Sequence, residues 1–208
     1  MNSVSLGTFE ILRIGERISA ERVAGQLKTT LAQPLGFTWS DIFVSSEPAA
    51  VVHCAEWPAE SAAGLPPMAS QSADLARELV AQADGGSVRT LTGTLAVSID
   101  GAAAAQAPGV AVLAIRHVSG VDAANELGQL LLRSGEWKRG VAGFIGASAY
   151  ISANGREFIN YVRWVDEEAY RVYMDDPRNA AGQPNIASVE SAKPEFVRGR
   201  CTSHSSAL

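Results

Sequence analysis

Residues 36–57 read GFTWSDIFVSSEPAAVVHCAEW and residues 143–164 read GFIGASAYISANGREFINYVRW. They align without a gap at an offset of 107. Gly36 meets Gly143, Phe37 meets Phe144, Ser45 meets Ser152 and Trp57 meets Trp164. The apolar positions Val44, Val51 and Val52 fall on Ile151, Phe158 and Ile159. Each copy reads as two strands around a turn, at Glu47-Pro48 in the first and at Asn154-Gly155 in the second, and Asn-Gly is a strong hairpin signal. An internal repeat constrains a chain more than any single motif, because both halves must then fold to one plan.

The flanking elements repeat in the same order. In the first half, Phe9 to Ile18 alternates as a half-buried strand. Ser19 caps a helix that carries Val23, Leu27 and Leu31 on one face and is stopped by Pro34 and Gly36. After the hairpin, Pro58 to Ser72 reads as loop, Ala73 to Ala83 as a helix ended by Asp84-Gly85-Gly86, and Val88 to Ile99 as a strand. In the second half, Val110 to Val118 reads as a strand, and Asp122 caps a helix bearing Leu127, Leu130 and Leu131. After its hairpin, Asp166-Glu167-Glu168 opens a short helix that ends at Asp176-Pro177. Arg178 to Ala192 reads as loop and Pro194 to Ser203 as a last strand. Both halves spell β-α-β-β-α-β, the ferredoxin-like unit. The expected class is α+β, with a first domain over 1–100, a Gly/Ala linker over 101–109 and a second domain over 110–208. A bare sheet face has to be covered, and two tandem units can cover each other as a pseudo-dimer.

At 208 residues, with 17 Lys+Arg against 22 Asp+Glu, the chain is mildly acidic. That balance speaks against a nucleic-acid partner, which favours a basic face. Glu10, Arg13 and Glu16 interrupt any leader-like apolar run, and no stretch approaches the roughly 18 apolar residues of a membrane span. Cys54 and Cys201 are too few for a disulfide framework. A soluble, cytoplasmic protein is expected. Phosphate-loop, zinc-protease and nucleophile-elbow motifs are missing. His53, His117 and His204 are far apart in sequence, so no metal centre is expected. Cys54 neighbours His53 and points to the opposite strand face, which weakens a Cys-His nucleophile.

The chemistry concentrates in Asn160-Tyr161-Val162-Arg163-Trp164 and the helix behind it. On a strand, Asn160, Val162 and Trp164 share one face, and Tyr170 and Tyr173 on the helix can reach over its end. An amide, an indole and a phenol suit a flat aromatic ligand: the amide polarises a carbonyl or steadies an enolate, and the rings stack. Trp57 and Trp164 read equally well as core, and Tyr173 as packing, while Tyr150, Arg156 and Arg163 read as solvated or edge residues. Asn160 resists a core reading, because a buried amide without partners costs about 1–3 kcal/mol. Its counterpart in the first half is His53. His53 and His117 are further candidates as general base, since histidine titrates near neutrality.

On these residues, together with Gly143-Phe144, Asn154-Gly155, Glu167-Glu168-Ala169-Tyr170 and Asp176-Pro177, the stretch from Val110 to Pro177 resembles the antibiotic biosynthesis monooxygenase family. The resemblance implies a dimeric α+β barrel. Members that oxidise anthrones use an Asn, a Trp four residues on and a Tyr six further, spacings that fall on Asn160, Trp164 and Tyr170. It implies metal-free attack of O2 on a polycyclic phenol or hydroquinone. The first half departs from the pattern: His53 stands at the Asn position, Trp57 is kept, and Ala63 falls where the Tyr would be. A family arginine has candidates in Arg178, Arg198 and Arg200. Tandem chains of this length also resemble oxygenases that open an angucycline ring with reduced flavin from a separate reductase. The expectation is therefore an aromatic-polyketide oxygenase, cofactor-free or assisted by diffusible reduced flavin, acting on a polycyclic small molecule, with further homodimerisation open. A binding protein for a hydrophobic metabolite, and a polyketide cyclase or isomerase on the same fold, are the alternatives.

Overall fold

The computed structural model describes residues 5–14, 19–31, 36–58, 67–81 and 86–206. They group into two compact units, Met1–Thr92 with Val197–Leu208, and Gly93–Phe196. The repeat of the sequence and the compact units are therefore different divisions of the chain. The strands β4 (Ser87–Asp100) and β8 (Glu190–Ser206) each begin in one unit and finish in the other.

In the first unit β1 (Leu6–Arg13), β2 (Trp39–Ser46) and β3 (Ala49–Trp57) form an antiparallel sheet with β3 in the middle. Leu6 stands opposite Trp57 and Arg13 opposite Ala50, while Ser46 and Ala49 close the hairpin. The end of β8 adds a strand to β2, Arg200 facing Val44 and Ser206 facing Trp39. Two helices, α1 (Ala20–Thr30) and α2 (Pro67–Ala81), complete the unit. Ser19 caps α1 as its sequence suggests, accepting from the Arg22 amide at 3.2 Å. Val23, Ala24 and Leu27 then bury against Leu12, Ile42 and Val51 of the sheet. α2 starts at Pro67, six residues before the expected Ala73, because proline is at home in a first helical turn. β1 ends at Arg13. Ile18, Pro34, Ala63 and Asp84-Gly85 lie outside the described residues.

In the second unit β5 (Val110–Val118), β6 (Phe144–Ile151) and β7 (Glu157–Trp164) repeat the arrangement with β7 in the middle, and β4 adds to β6. The hairpin turns through Gly155 at φ 69°, a left-handed conformation natural to glycine. Asn154 Oδ1 accepts from the Arg156 amide and from Ser152 Oγ, locking that turn. Helix α3 (Val121–Lys138) lays Ala124, Leu127 and Leu131 on Phe158, Val97 and Ile99, with Phe144 and Trp164 in the same core. Each such large side chain contributes roughly 1.5–3 kcal/mol by leaving water. Asp122 does not cap α3; Gly120 occupies the cap, and Asp122 sits one residue into the first turn, where its charge suits the helix dipole.

The segment from Gly101 to Gly109 is no loose linker. Gly101, Ala102 and Ala103 donate backbone hydrogen bonds to Ile145, Arg139 and Phe144, and Ala103 is buried. A Cβ on Gly101 would stand 2.0 Å from the Phe144 carbonyl oxygen, so this close approach demands glycine. The stretch after Asp176 is not loop. α4 (Glu167–Asp175) is followed at once by α5 (Pro177–Ala187), with Asp176 capping α5 through the Arg178 amide at 2.9 Å and Pro177 in its first turn. β8 accordingly starts at Glu190, before Pro194. Tyr150 is wholly buried rather than an edge residue. The α+β class and the tandem ferredoxin-like plan stand.

Candidate functional site

β5, β6 and β7 turn one face of the second sheet toward the helices. On it lie Ala114, Ala147, Ala149, Phe158, Asn160 and Trp164, with Ala114 and Ala149 directly opposite Asn160 on either side. Two alanines beside one asparagine leave room above the amide. The space is a cavity of about 90 Å³, partly open, walled by Arg116, Phe158 and Asn160 from the sheet, Leu131, Ser134, Trp137 and Lys138 from α3, Tyr173 from α4, and Arg178, Asn179, Gln183 and Ile186 from α5. It is smaller than the roughly 150 Å³ that encloses a benzene. Such a cavity seats the polar edge of a ring system, with the remainder at its mouth.

Asn160 Oδ1 is buried and has no hydrogen-bond partner among the described residues. An unsatisfied buried amide oxygen costs about 1–3 kcal/mol and is an acceptor waiting for a donor. Trp164 lies behind the cavity wall rather than on it. It is buried, with ring centroids 4.8 Å from Tyr173, 5.0 Å from Phe144 and 6.3 Å from Tyr170. Tyr170 meets Trp164 edge-on, and Tyr173, read from sequence as packing, is the tyrosine that lines the cavity. Tyr173 stacks on Trp137 at 5.7 Å and donates its hydroxyl to Asn179 Oδ1 at 3.0 Å. Burial, with Tyr170 nearby, pushes its phenol up to about 12, so it stays protonated across the neutral range.

Three basic side chains converge on the cavity. Arg116 is paired with Glu190. Arg178 lies over the Trp137 ring at 4.5 Å and is paired with Asp176 at 2.7 Å. Lys138 stands over the rings of Tyr173 and Trp137, at 5.3 and 5.9 Å from their centroids, and no carboxylate pairs with it among the described residues. Burial, reinforced by the charge of Arg116, lowers its ammonium from the ordinary 10.5 to about 8. Of this wall the sequence singled out Asn160, Tyr173 and Arg178. It passed over Arg116, Trp137 and Lys138; a basic residue inside an otherwise apolar β-branched strand was the signal for Arg116, and Trp137-Lys138 at the end of α3 gave none.

The histidines go elsewhere. His53 is buried in the first unit, with Nδ1 2.7 Å from Glu10 Oε2 and Nε2 2.9 Å from Ser40 Oγ. Its carboxylate partner is 43 residues away in sequence, and β1 places Glu10 directly across the sheet. His117 follows Arg116 on β5 and so faces away from the cavity, with Nε2 3.2 Å from Glu195. His204 pairs with Asp41 at 2.6 Å. Among the described residues no group of three or more His, Cys, Asp or Glu could hold a metal ion, and no helix is long and apolar enough to cross a membrane.

No protein-family model and no curated protein matches the chain. Solved structures do. A protein from Fusobacterium nucleatum subsp. nucleatum, provisionally named a monooxygenase, superposes with TM-score 0.73 at 10% identity over 99% of this chain and 96% of its own. An anthrone oxidase-like protein gives 0.63 at 15% identity, over 98% and 93%. A ferredoxin-fold protein from Listeria monocytogenes, described as related to antibiotic biosynthesis monooxygenases, gives 0.58 at 11% identity, over 94% and 95%. At such identities the likeness establishes the fold. Monooxygenase is the name those neighbours carry.

Proposed function

We propose that the cavity of the second unit binds a phenol or hydroquinone edge of a polycyclic aromatic molecule and promotes its oxygenation by O2, as in the tailoring of an aromatic polyketide. The observation that carries this reading is Asn160 Oδ1, buried without a partner at the floor of a cavity with aromatic and cationic walls. An acceptor in that place matches a substrate hydroxyl. The same amide, turned about its terminal bond, offers N–H to the enolate or phenolate oxygen left after deprotonation. Arg116, Lys138 and Arg178 favour that anion electrostatically, where exclusion of water strengthens every charge. The electron-rich anion gives one electron to O2, the carbon radical and superoxide combine to form a C–O bond, and the resulting hydroperoxide loses water. For an anthrone the CH2 becomes the quinone carbonyl, one oxygen atom enters the product and the other leaves as water. Trp164 and Tyr170 act in this scheme by fixing Tyr173 and the wall behind the amide.

Ring opening of an angucycline with reduced flavin is the narrower form of this proposal. At about 90 Å³ the cavity seats the edge of one ring system, isoalloxazine or substrate, and leaves the remainder at its mouth.

The test is incubation with 1,8-dihydroxyanthrone under ¹⁸O2, with and without reduced flavin. Label in the quinone carbonyl without flavin is the expected result. Label only with flavin overturns the cofactor-free reading, unlabelled product points to a cyclase or isomerase, and binding without turnover to a carrier.

A further inference from the structure

The cavity's three cations are not equivalent. Arg116 and Arg178 each have a carboxylate, Glu190 and Asp176, that neutralises them in place. Lys138 has none among the described residues, and two aromatic faces hold its Nζ at the cavity wall. A lysine with a mobile proton, packed against rings and left without a counter-ion, is a site built for an anion that arrives with its own proton. We infer that Lys138 is the acid–base and counter-ion residue of the cavity, taking the proton of a bound phenol or enol and holding the anion so formed. This deepens the oxygenase reading and rests on it for its place in turnover, though the binding step stands without O2.

The step balances simply. Where Lys138 is neutral, the substrate O–H bond breaks, an N–H bond forms on Nζ, and amine and phenol become ammonium and phenolate. Where Lys138 is already an ammonium, the proton leaves to solvent and the residue acts as counter-ion alone. The groups that face the lysine are Arg116 with Glu190 from the β5 side, Tyr173 from α4, and Arg178 with Asp176 from α5. Tyr173 remains protonated and Arg178, its ionisation raised by Asp176, remains charged through the range in which Lys138 titrates. Arginine cannot replace the lysine here, because it never gives up its proton.

The experiment uses the whole chain without O2 and 2-naphthol as probe, its ionisation followed by absorbance. An adjacent cation lowers a phenol's pKa by about 1–3 units. The wild type should therefore hold naphtholate at a pH where the free probe is neutral, and Lys138→Met should bind it as the neutral phenol or lose it. Proton release on binding is then counted by calorimetry in buffers of different ionisation enthalpy. In the wild type it should rise toward one proton as the pH passes the ionisation of the bound phenol and return to none as free Lys138 becomes neutral. In Lys138→Arg, which keeps the charge, it should rise in the same way and stay near one until the free probe itself ionises. Naphtholate bound equally by Lys138→Met, release that ignores pH in the wild type, or no binding of the probe at all overturns the assignment. Failure to oxidise 1,8-dihydroxyanthrone with these results intact would sink the oxygenase reading alone.

Discussion

At matching places in the two sheets the chain has written different solutions. In the first unit Glu10, His53 and Ser40 occupy three neighbouring positions and bond to one another at 2.7 and 2.9 Å, with Glu10 Oε1 left buried and unpartnered among the described residues but with no cavity against it. In the second unit the same register carries Ala114, Asn160 and Ala147, with the amide oxygen left unpaired under a cavity. Trp57 shows the same contrast: its indole N–H donates to Thr8 at 3.0 Å, whereas Val112 takes the Thr8 position opposite Trp164's strand and offers no acceptor. Polar residues on a core face do not by themselves mark a site. What matters is whether an unspent buried acceptor faces a cavity, as Asn160 Oδ1 does and Glu10 Oε1 does not.

The contrast can be broken in order of size. His53→Ala strips Glu10 and Ser40 of their shared partner and should destabilise the chain by about 3–5 kcal/mol in urea unfolding, while turnover per folded molecule stays within twofold. A large loss of turnover in the folded fraction would show that the first unit also works. Asn160→Ala should do the reverse, lowering kcat about 10²–10³-fold with an unchanged or slightly raised Tm, because it removes an unsatisfied acceptor. Lys138→Met should stabilise at pH 7. Lysine held at about 8 rather than 10.5 means the unfolded chain binds more protons between those values, so native stability rises with pH across that window. Below it the wild type carries the full penalty, and removing it should gain about 1–3 kcal/mol after allowance for part exposure, a gain that fades toward pH 10.5. Smallest is Ala114→Ser, which offers Asn160 a neighbouring hydroxyl of the kind the first unit supplies. One hydrogen bond of about 1 kcal/mol should cost roughly three- to tenfold in kcat/KM.

The hairpins and the order of elements were legible because a period-2 pattern and an Asn-Gly turn are local facts, and a gapless repeat states them twice. Asn160 was legible as an amide on an apolar face. The partners of the histidines were not, because cross-strand register decides them: Glu10 lies 43 residues from His53, Glu195 78 residues from His117. α5 escaped because PRNAAGQPNIA has little amphipathic pattern and an internal Pro184, while its start depends on a cap and a proline that also signal a stop. With α5 hidden, the cavity lost one wall, and Trp137, Lys138 and Tyr173 had nothing to point at.

The last strand has a bearing on how the chain reaches its fold. Thr202 donates to the Ile42 carbonyl across 160 residues and His204 reaches Asp41 across 163. During synthesis β2 therefore emerges long before the segment that pairs with it, and its edge stays open for that interval. Contacts so distant in sequence are slow to form, and an open strand edge is where a wrong partner can add. A second copy of the same residues 200–206 would serve β2 equally well, so exchange of this strand between two nascent molecules is the error that this architecture has to outrun.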